Sequence, residues 1–107
     1  MSYNDVGGIM KRYYVVFKGQ VQGVGFRWRA MMLAQQYGLT GWARNLADGD
    51  VDMEIQGPAD DIDAMLAALQ RKDSWIRIDD YAVKPLPTVE GEHGFGVRDE
   101  DGGLYGL

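Results

Sequence analysis

The amino-acid sequence predicts an α+β fold: a ferredoxin-like split β-α-β-β-α-β sandwich, with an antiparallel sheet and two helices on one face. Three observations lead there. The 107 residues are 46% hydrophobic and 25% charged, which suits one globular domain with one core. Strand-like and helical segments follow each other in that order along the chain. Both helices carry apolar stripes and the strands carry apolar faces of their own, so a shared sheet buries what two helices packed only on each other would leave bare.

Residues 11–18 are rich in Tyr, Val and Phe and end at Gly19, which suits a largely buried first strand. A glycine-spaced loop, Gly19-Gln-Val-Gln-Gly-Val-Gly25, shows no helical period. Phe26, Ala30, Leu33, Ala34 and Tyr37 then recur at helical spacing, with Gly38 where a C-terminal cap belongs. Residues 40–47 read as the second strand and 51–56 as the third, joined by Asp48-Gly49, a turn pair whose glycine supplies positive φ. The third strand alternates, Val51, Met53 and Ile55 on one face and Asp52, Glu54 and Gln56 on the other. Asp48, Asp50, Asp52 and Glu54 are therefore assigned to the exposed face of a hairpin rather than to a metal-binding run. Gly57-Pro58 ends the strand and starts a helix, with Pro58 in its first turn. Asp60, Asp61 and Asp63 near its start and Arg71 and Lys72 near its end match the helix dipole, and Ile62, Met65, Leu66 and Leu69 form its apolar stripe. Residues 75–86 contain a fourth strand, and 95–98 a short last one. The expected organisation is an N-terminal extension 1–10, a domain 11–98 and a loosely held, acidic, glycine-containing tail 99–107. Met31, Met32, Met53 and Met65 are expected in or near the core, and His93 in solvent.

Composition removes several function classes. Zero cysteines exclude a disulfide framework, a thiolate metal site and a cysteine nucleophile, and a single histidine excludes a multi-histidine metal site. No run approaches the roughly 18 apolar residues of a membrane helix, and no secretion signal is visible, so a cytoplasmic protein without membrane contact is expected. The net charge of −5 hides an asymmetry. Residues 6–47 hold no acid but six cations, Lys11, Arg12, Lys18, Arg27, Arg29 and Arg44. Residues 48–107 hold 15 acids against five bases. A basic half inside an acidic chain points to a local anion site rather than a broad nucleic-acid surface; accidental clustering on solvated faces is the alternative. An RNA-binding module shares this element order but needs aromatic and basic residues on its third strand, which here is Val51-Asp-Met-Glu-Ile55. No nucleic-acid partner is expected.

The informative stretch is the glycine loop and the helix start after it. A helix N-terminus leaves amides without partners and carries partial positive charge, and glycines let the preceding backbone curl so that its amides converge on an anion. Arg27 at the helix start and Arg29 in its first turn oppose the dipole, so helix stability alone selects against them; a docked anion reverses that sign. Arg contacts two phosphate oxygens through its planar fork. The alternative is that the glycines serve only the turn and Arg27 pairs with an acid elsewhere. No Gly-Lys-Ser/Thr ending makes an ATP-type loop, and no third glycine follows Gly23-Val-Gly25 at Trp28. Asn45 sits in a strand type that disfavours it, able to hold a water through its amide; beginning the turn is the plainer alternative.

Gly19-Gln-Val-Gln-Gly-Val-Gly-Phe-Arg27, followed by Gly41-Trp-Ala-Arg-Asn45 and Asp48-Gly49, resembles the two signatures of the acylphosphatases, over about residues 12–98. The resemblance implies hydrolysis of the carboxyl–phosphate bond in small acyl phosphates to carboxylate and phosphate; a monomer is expected. It implies that Arg27 binds the phosphoryl group, that Asn45 orients the attacking water, and that amides of Gln22, Gly23, Val24, Gly25, Phe26 and Arg27 form the cradle. It implies no metal and no cofactor. A non-catalytic phosphate-binding or regulatory domain on the same scaffold is the alternative, since similar modules occur inside larger hydrogenase-maturation proteins. Ala43 departs from the family's usual β-branched residue, residues 72–77 depart from its common wording, and the acidic Asp99-Glu-Asp101 is able to compete for Arg27 if the tail folds back.

Overall fold

Alternation along the chain becomes two layers in the computed structural model, which describes residues 8–71, 75–99 and 104–105. The strands are β1 (Met10–Gln20), β2 (Thr40–Asn45), β3 (Val51–Pro58), β4 (Arg77–Leu86), β5 (Phe95–Arg98) and β6 (Leu104–Tyr105), and the helices are α1 (Phe26–Gln36) and α2 (Ala59–Leu69). They form one sheet in the order β4-β1-β3-β2-β5-β6. The four strands of the expected order pair antiparallel, while β5 joins β2 in parallel and β6 returns antiparallel to β5. The parallel pair has a topological cause. β4 and β5 lie on opposite sides of the β1-β3-β2 group, so the connection between them crosses the sheet and enters β5 at the end where β2 begins. Gln56 staples that connection, accepting from the Val89 N–H at 2.7 Å and donating to the Val89 carbonyl at 2.8 Å.

Register fixes which side chains meet. Val15 opposes Met53, Phe17 opposes Val51 and Ala43 opposes Met53, all turned to the helices and fully buried. Phe26, Ala30 and Ala34 from α1 and Ile62, Met65 and Leu69 from α2 close this core. Burying each large side chain is worth about 1.5–3 kcal/mol. Phe17 meets Phe26 edge to face with centroids 4.9 Å apart, which pins the start of α1 to the end of β1. Gly38 takes φ +69° after α1, as a C-terminal cap requires.

Several expectations change. Pro58 is the residue before α2 rather than part of its first turn, because β3 runs on to it opposite Met10. Met32 is 67% exposed, unlike Met53 and Met65, so it fills no core. Asp52 is 0% exposed and Glu54 half-buried, where solvent was expected. The face away from the helices is a paired polar layer instead. Asp52 accepts two bonds from Arg44, at 3.1 and 2.6 Å, and one from the Tyr14 hydroxyl at 2.8 Å. The segment read as tail contributes β6, and residues 1–7 lie outside the described residues. Among the described residues no helix is long and apolar enough to cross a membrane.

Candidate active site

The end of β1 is shaped for a change of direction. The pairing with β4 slips between Lys18 and Gly19, and Gly19 takes φ +132° with its backbone so close to β4 that a Cβ would lie 2.3 Å from the Arg77 carbonyl oxygen. Only glycine fits. Beyond it, Gly23 and Gly25 take φ +72° and +81°, and Gly25 is the left-handed residue immediately before α1. The first helical bond at this end runs from Arg29 N–H to Gly25 carbonyl at 3.0 Å. The amides ahead of it have no intrahelical acceptor. No side chain caps this end and no acid lies in its first turn. Its partial positive charge is left standing beside Arg27.

The predicted residues divide by role. Phe26 is buried in the core, so only its amide is available to a ligand, while Gly23 and Gly25 are exposed and Val24 half-buried. The Gln22 side chain turns away from the loop and ties it to the β2–β3 hairpin, donating from Nε2 to the Leu46 carbonyl at 2.6 Å and the Asp50 carbonyl at 2.7 Å. Asn45, the last residue of β2, opposes Val51 and so points to the helix side of the sheet, toward this loop. Its Oδ1 is buried with no hydrogen-bond partner among the described residues. Such an acceptor ordinarily holds a water.

Arg27 is 19% exposed. Its Nη1 donates to the Arg98 carbonyl at 2.7 Å and to Asp99 Oδ1 at 2.9 Å. The competing acid anticipated from the sequence is thus in contact, and it takes one corner of the guanidinium. Nε and Nη2 have no partner among the described residues. Arg29, the other first-turn cation, reaches a different target: Nη2 donates to the Ala68 carbonyl at 2.9 Å near the end of α2, where a cation suits the dipole.

Sequence reading missed the polar layer behind the site. Arg12 is 4% exposed and donates to Glu54 at 2.7 Å, Gln56 at 3.1 Å and Glu92 at 2.8 and 3.1 Å. The Glu92 bonds and charge raise its pKa. Burial pushes the Glu92 carboxyl up, but bonds from Arg12 and Thr40 and the charges of Arg12 and Arg98 outweigh it and leave the carboxyl below its ordinary range. Burial and the bond to Asp52 push the Tyr14 phenol up to about 12. The Trp42 ring meets two guanidinium carbons, Arg44 at 5.0 Å and Arg98 at 4.6 Å from its centroid. This stack braces β2 against β5, the strands that carry Asn45 and the Arg98 carbonyl. Alternating acids hinted at a polar face; partners 80 residues apart left no local signal. Among the described residues no three His, Asp or Glu side chains are grouped to hold a metal.

The fold and this end define a ferredoxin-like α+β domain whose first helix starts uncapped, without an acid in its first turn and beside Arg27. The acylphosphatase family model matches residues 13–97. An acylphosphatase of Clostridium beijerinckii is 33% identical over 89 residues, which cover 83% of this chain and 99% of that one. The solved acylphosphatase of Bacillus subtilis superposes with a TM-score of 0.74 at 31% identity, covering 81% of this chain and 96% of that one. Full-length HypF in its phosphate- and nucleotide-bound form superposes with a TM-score of 0.75 at 28% identity, over 91% of this chain and 13% of HypF. The chain belongs to the acylphosphatase family.

Proposed function

We propose that the chain hydrolyses the carboxyl–phosphate bond of small acyl phosphates, using Arg27 and the Gln22–Arg27 amides to hold the phosphoryl group and Asn45 to orient the water. The observation that carries this reading is the buried, unpartnered Asn45 Oδ1, on the hairpin that Gln22 ties to the glycine loop. The oxygen accepts a hydrogen bond from water and turns its lone pair toward phosphorus. The Nε–Nη2 edge of Arg27 and the amides bind the phosphoryl oxygens, whose charge is redistributed as the bond breaks. Water oxygen bonds to phosphorus, the P–O bond to the acyl group breaks, and the carboxylate leaves with the electron pair. Its conjugate acid has a pKa of about 4, so it departs without protonation and needs no general acid. The water proton passes to a phosphate oxygen of the substrate. Positioning and charge stabilisation suffice for this reaction, so in this reading it runs without metal or cofactor. The enzyme acts as a cytoplasmic monomer, without nucleic-acid or membrane partners.

The test is benzoyl phosphate hydrolysis with a chelator present, by wild type, Arg27→Gln and Asn45→Ala. Each substitution is expected to lower the rate on the order of 10²-fold or more. A variant that keeps wild-type turnover loses its assigned role. The Asp99 contact at Arg27 favours a second reading, a non-catalytic phosphate-binding domain. Saturable phosphate binding by a wild type that turns over no acyl phosphate decides for it.

A further inference from the structure

A groove of about 530 Å³ starts where the glycine loop ends. Val24 and Gly25 form its mouth, and it follows α1 along Trp28 and Met32, between that helix and Trp75 and Ile76. We propose that this groove takes the acyl part of the substrate, so that the enzyme selects acyl phosphates with a sizeable apolar acyl group. The proposal rests on the acyl-phosphate reading above and names the substrate class.

Three observations carry it. The first is continuity: Val24 and Gly25 belong both to the proposed amide cradle and to the groove, so the mouth of the groove adjoins the place where the phosphoryl group would sit. The second is exposure: Trp28 at 46%, Met32 at 67% and Trp75 at 69% are large apolar side chains standing at one place, whereas among the other described aromatic residues only Tyr81 is exposed. Two indole rings and a thioether give a wall that suits a flat ring or a flexible alkyl chain. The third is placement. The main chain around Trp75 is fixed to the end of β1 by a bond from Gln20 Nε2 to the Trp75 carbonyl, and α1 is fixed at the other side by the Phe17–Phe26 contact and by Arg29 on Ala68. The walls are thus held at a set distance from the cradle. From Gly25 to Gln36 the helix side of the groove spans about 16 Å, longer than an eight-carbon chain. Arg29 and Arg71 also line it, and no carboxylate stands among its described lining residues.

The experiment compares kcat/KM for octanoyl phosphate and acetyl phosphate in wild type, Trp28→Ala and Met32→Gln, with octanoate binding followed by tryptophan fluorescence. Each methylene taken fully out of water contributes roughly fourfold in affinity, and the groove is open along one side, so six added methylenes are expected to raise kcat/KM at least tenfold. Trp28→Ala is expected to cut the octanoyl-to-acetyl ratio at least fivefold, chiefly through KM, and Met32→Gln about threefold; both positions are exposed, so the core stays intact. Octanoate is expected to shift the fluorescence of wild type and to bind Trp28→Ala more weakly. Hydrolysis of both substrates with equal kcat/KM overturns the groove and leaves the reaction standing. Octanoate binding without turnover of either substrate overturns the reaction and leaves the groove standing. A wild-type dimer in sedimentation that Trp28→Ala dissociates overturns the acyl assignment in favour of a second copy of the chain.

Discussion

Replacing Asp99 by Asn tests how Arg27 is used. Arg27 Nη1 has two acceptors, the Arg98 carbonyl at 2.7 Å and Asp99 Oδ1 at 2.9 Å. Asn at 99 keeps a polar side chain and the main-chain acceptor but removes one negative charge from the site. Two effects then oppose each other. The Arg27–Asp99 pair is half exposed on its acidic side, and such pairs are worth about 0.2–1 kcal/mol, so loosening Arg27 costs at most a fewfold in rate. Against this, a dianion on the Nε–Nη2 edge sits roughly 6 Å from that carboxylate, where Coulomb's law at an effective dielectric of about 40–80 gives repulsion of about 1.4–2.8 kcal/mol. Physiological salt removes about half of it. Repulsion wins, so Asp99→Asn is expected to lower KM for benzoyl phosphate, and the inhibition constant of inorganic phosphate, roughly threefold to tenfold. The rate constant kcat should change by less than about threefold. Steady-state kinetics at low and at 0.5 M salt check both parts, because the gain in affinity must shrink as ionic strength rises. A variant with raised KM and a kcat tenfold lower refutes the reasoning and makes Asp99 a positioning residue for Arg27.

Other perturbations have defined outcomes. Gln22→Ala removes both bonds between the glycine loop and the hairpin and is expected to cost about 1–2 kcal/mol in urea unfolding, with kcat roughly tenfold lower because Asn45 loses its registration. Gly19→Ala brings a Cβ to 2.3 Å from the Arg77 carbonyl oxygen at φ +132°, which is expected to cost at least about 3 kcal/mol and lower Tm by more than about 10 °C in calorimetry. Glu92→Gln is expected to destabilise by about 1–3 kcal/mol at neutral pH, read by denaturant midpoint. The folded pKa of Glu92 is lowered, so its contribution is present above the unfolded carboxyl pKa and lost as pH falls through the folded value. The gap between wild type and Glu92→Gln should therefore narrow on acidification, and a gap that widens rules out the assigned pairing.

Local patterns carried most of the fold, and the limits of that legibility are physical. Val51, Met53 and Ile55 alternate with polar residues, and the register turns them inward as the period requires. The same alternation left the fate of Asp52 open. A carboxylate on a strand reads as solvated unless cations cover it, and its cover comes from Arg44 across the hairpin and Tyr14 on β1. Glu92 lies 80 residues from Arg12, in a stretch whose Gly and Glu content reads as an ordinary loop. Met32 sits among helical apolar residues, yet the exposed side of α1 borders the groove rather than the core. In the candidate site, Gly19, Gly23 and Gly25 were legible because positive φ has a residue signature. The sequence showed Gln22 only as a cradle amide, since a side chain reaching two carbonyls of a later hairpin follows no spacing rule.

The two helices show what the site asks of the chain. α2 starts with Asp60 and Asp61 in its first turn, and its Ala59 amide donates to the Ile9 carbonyl at 3.0 Å. Its N-terminal charge is answered inside the protein. α1 starts with a left-handed glycine, no capping side chain, no acid and Arg27, which is the arrangement that helix stability disfavours. An acid in the first turn of α1 would make this end as stable as the start of α2 and close it to an anion. Phe17 against Phe26 and the Gln22 bonds anchor the segment by other means, so this end needs no capping side chain to hold its place. In the proposed reading the partial charge at the start of α1 is completed by the phosphoryl group, and Asp99 is the only carboxylate among the described contacts of Arg27.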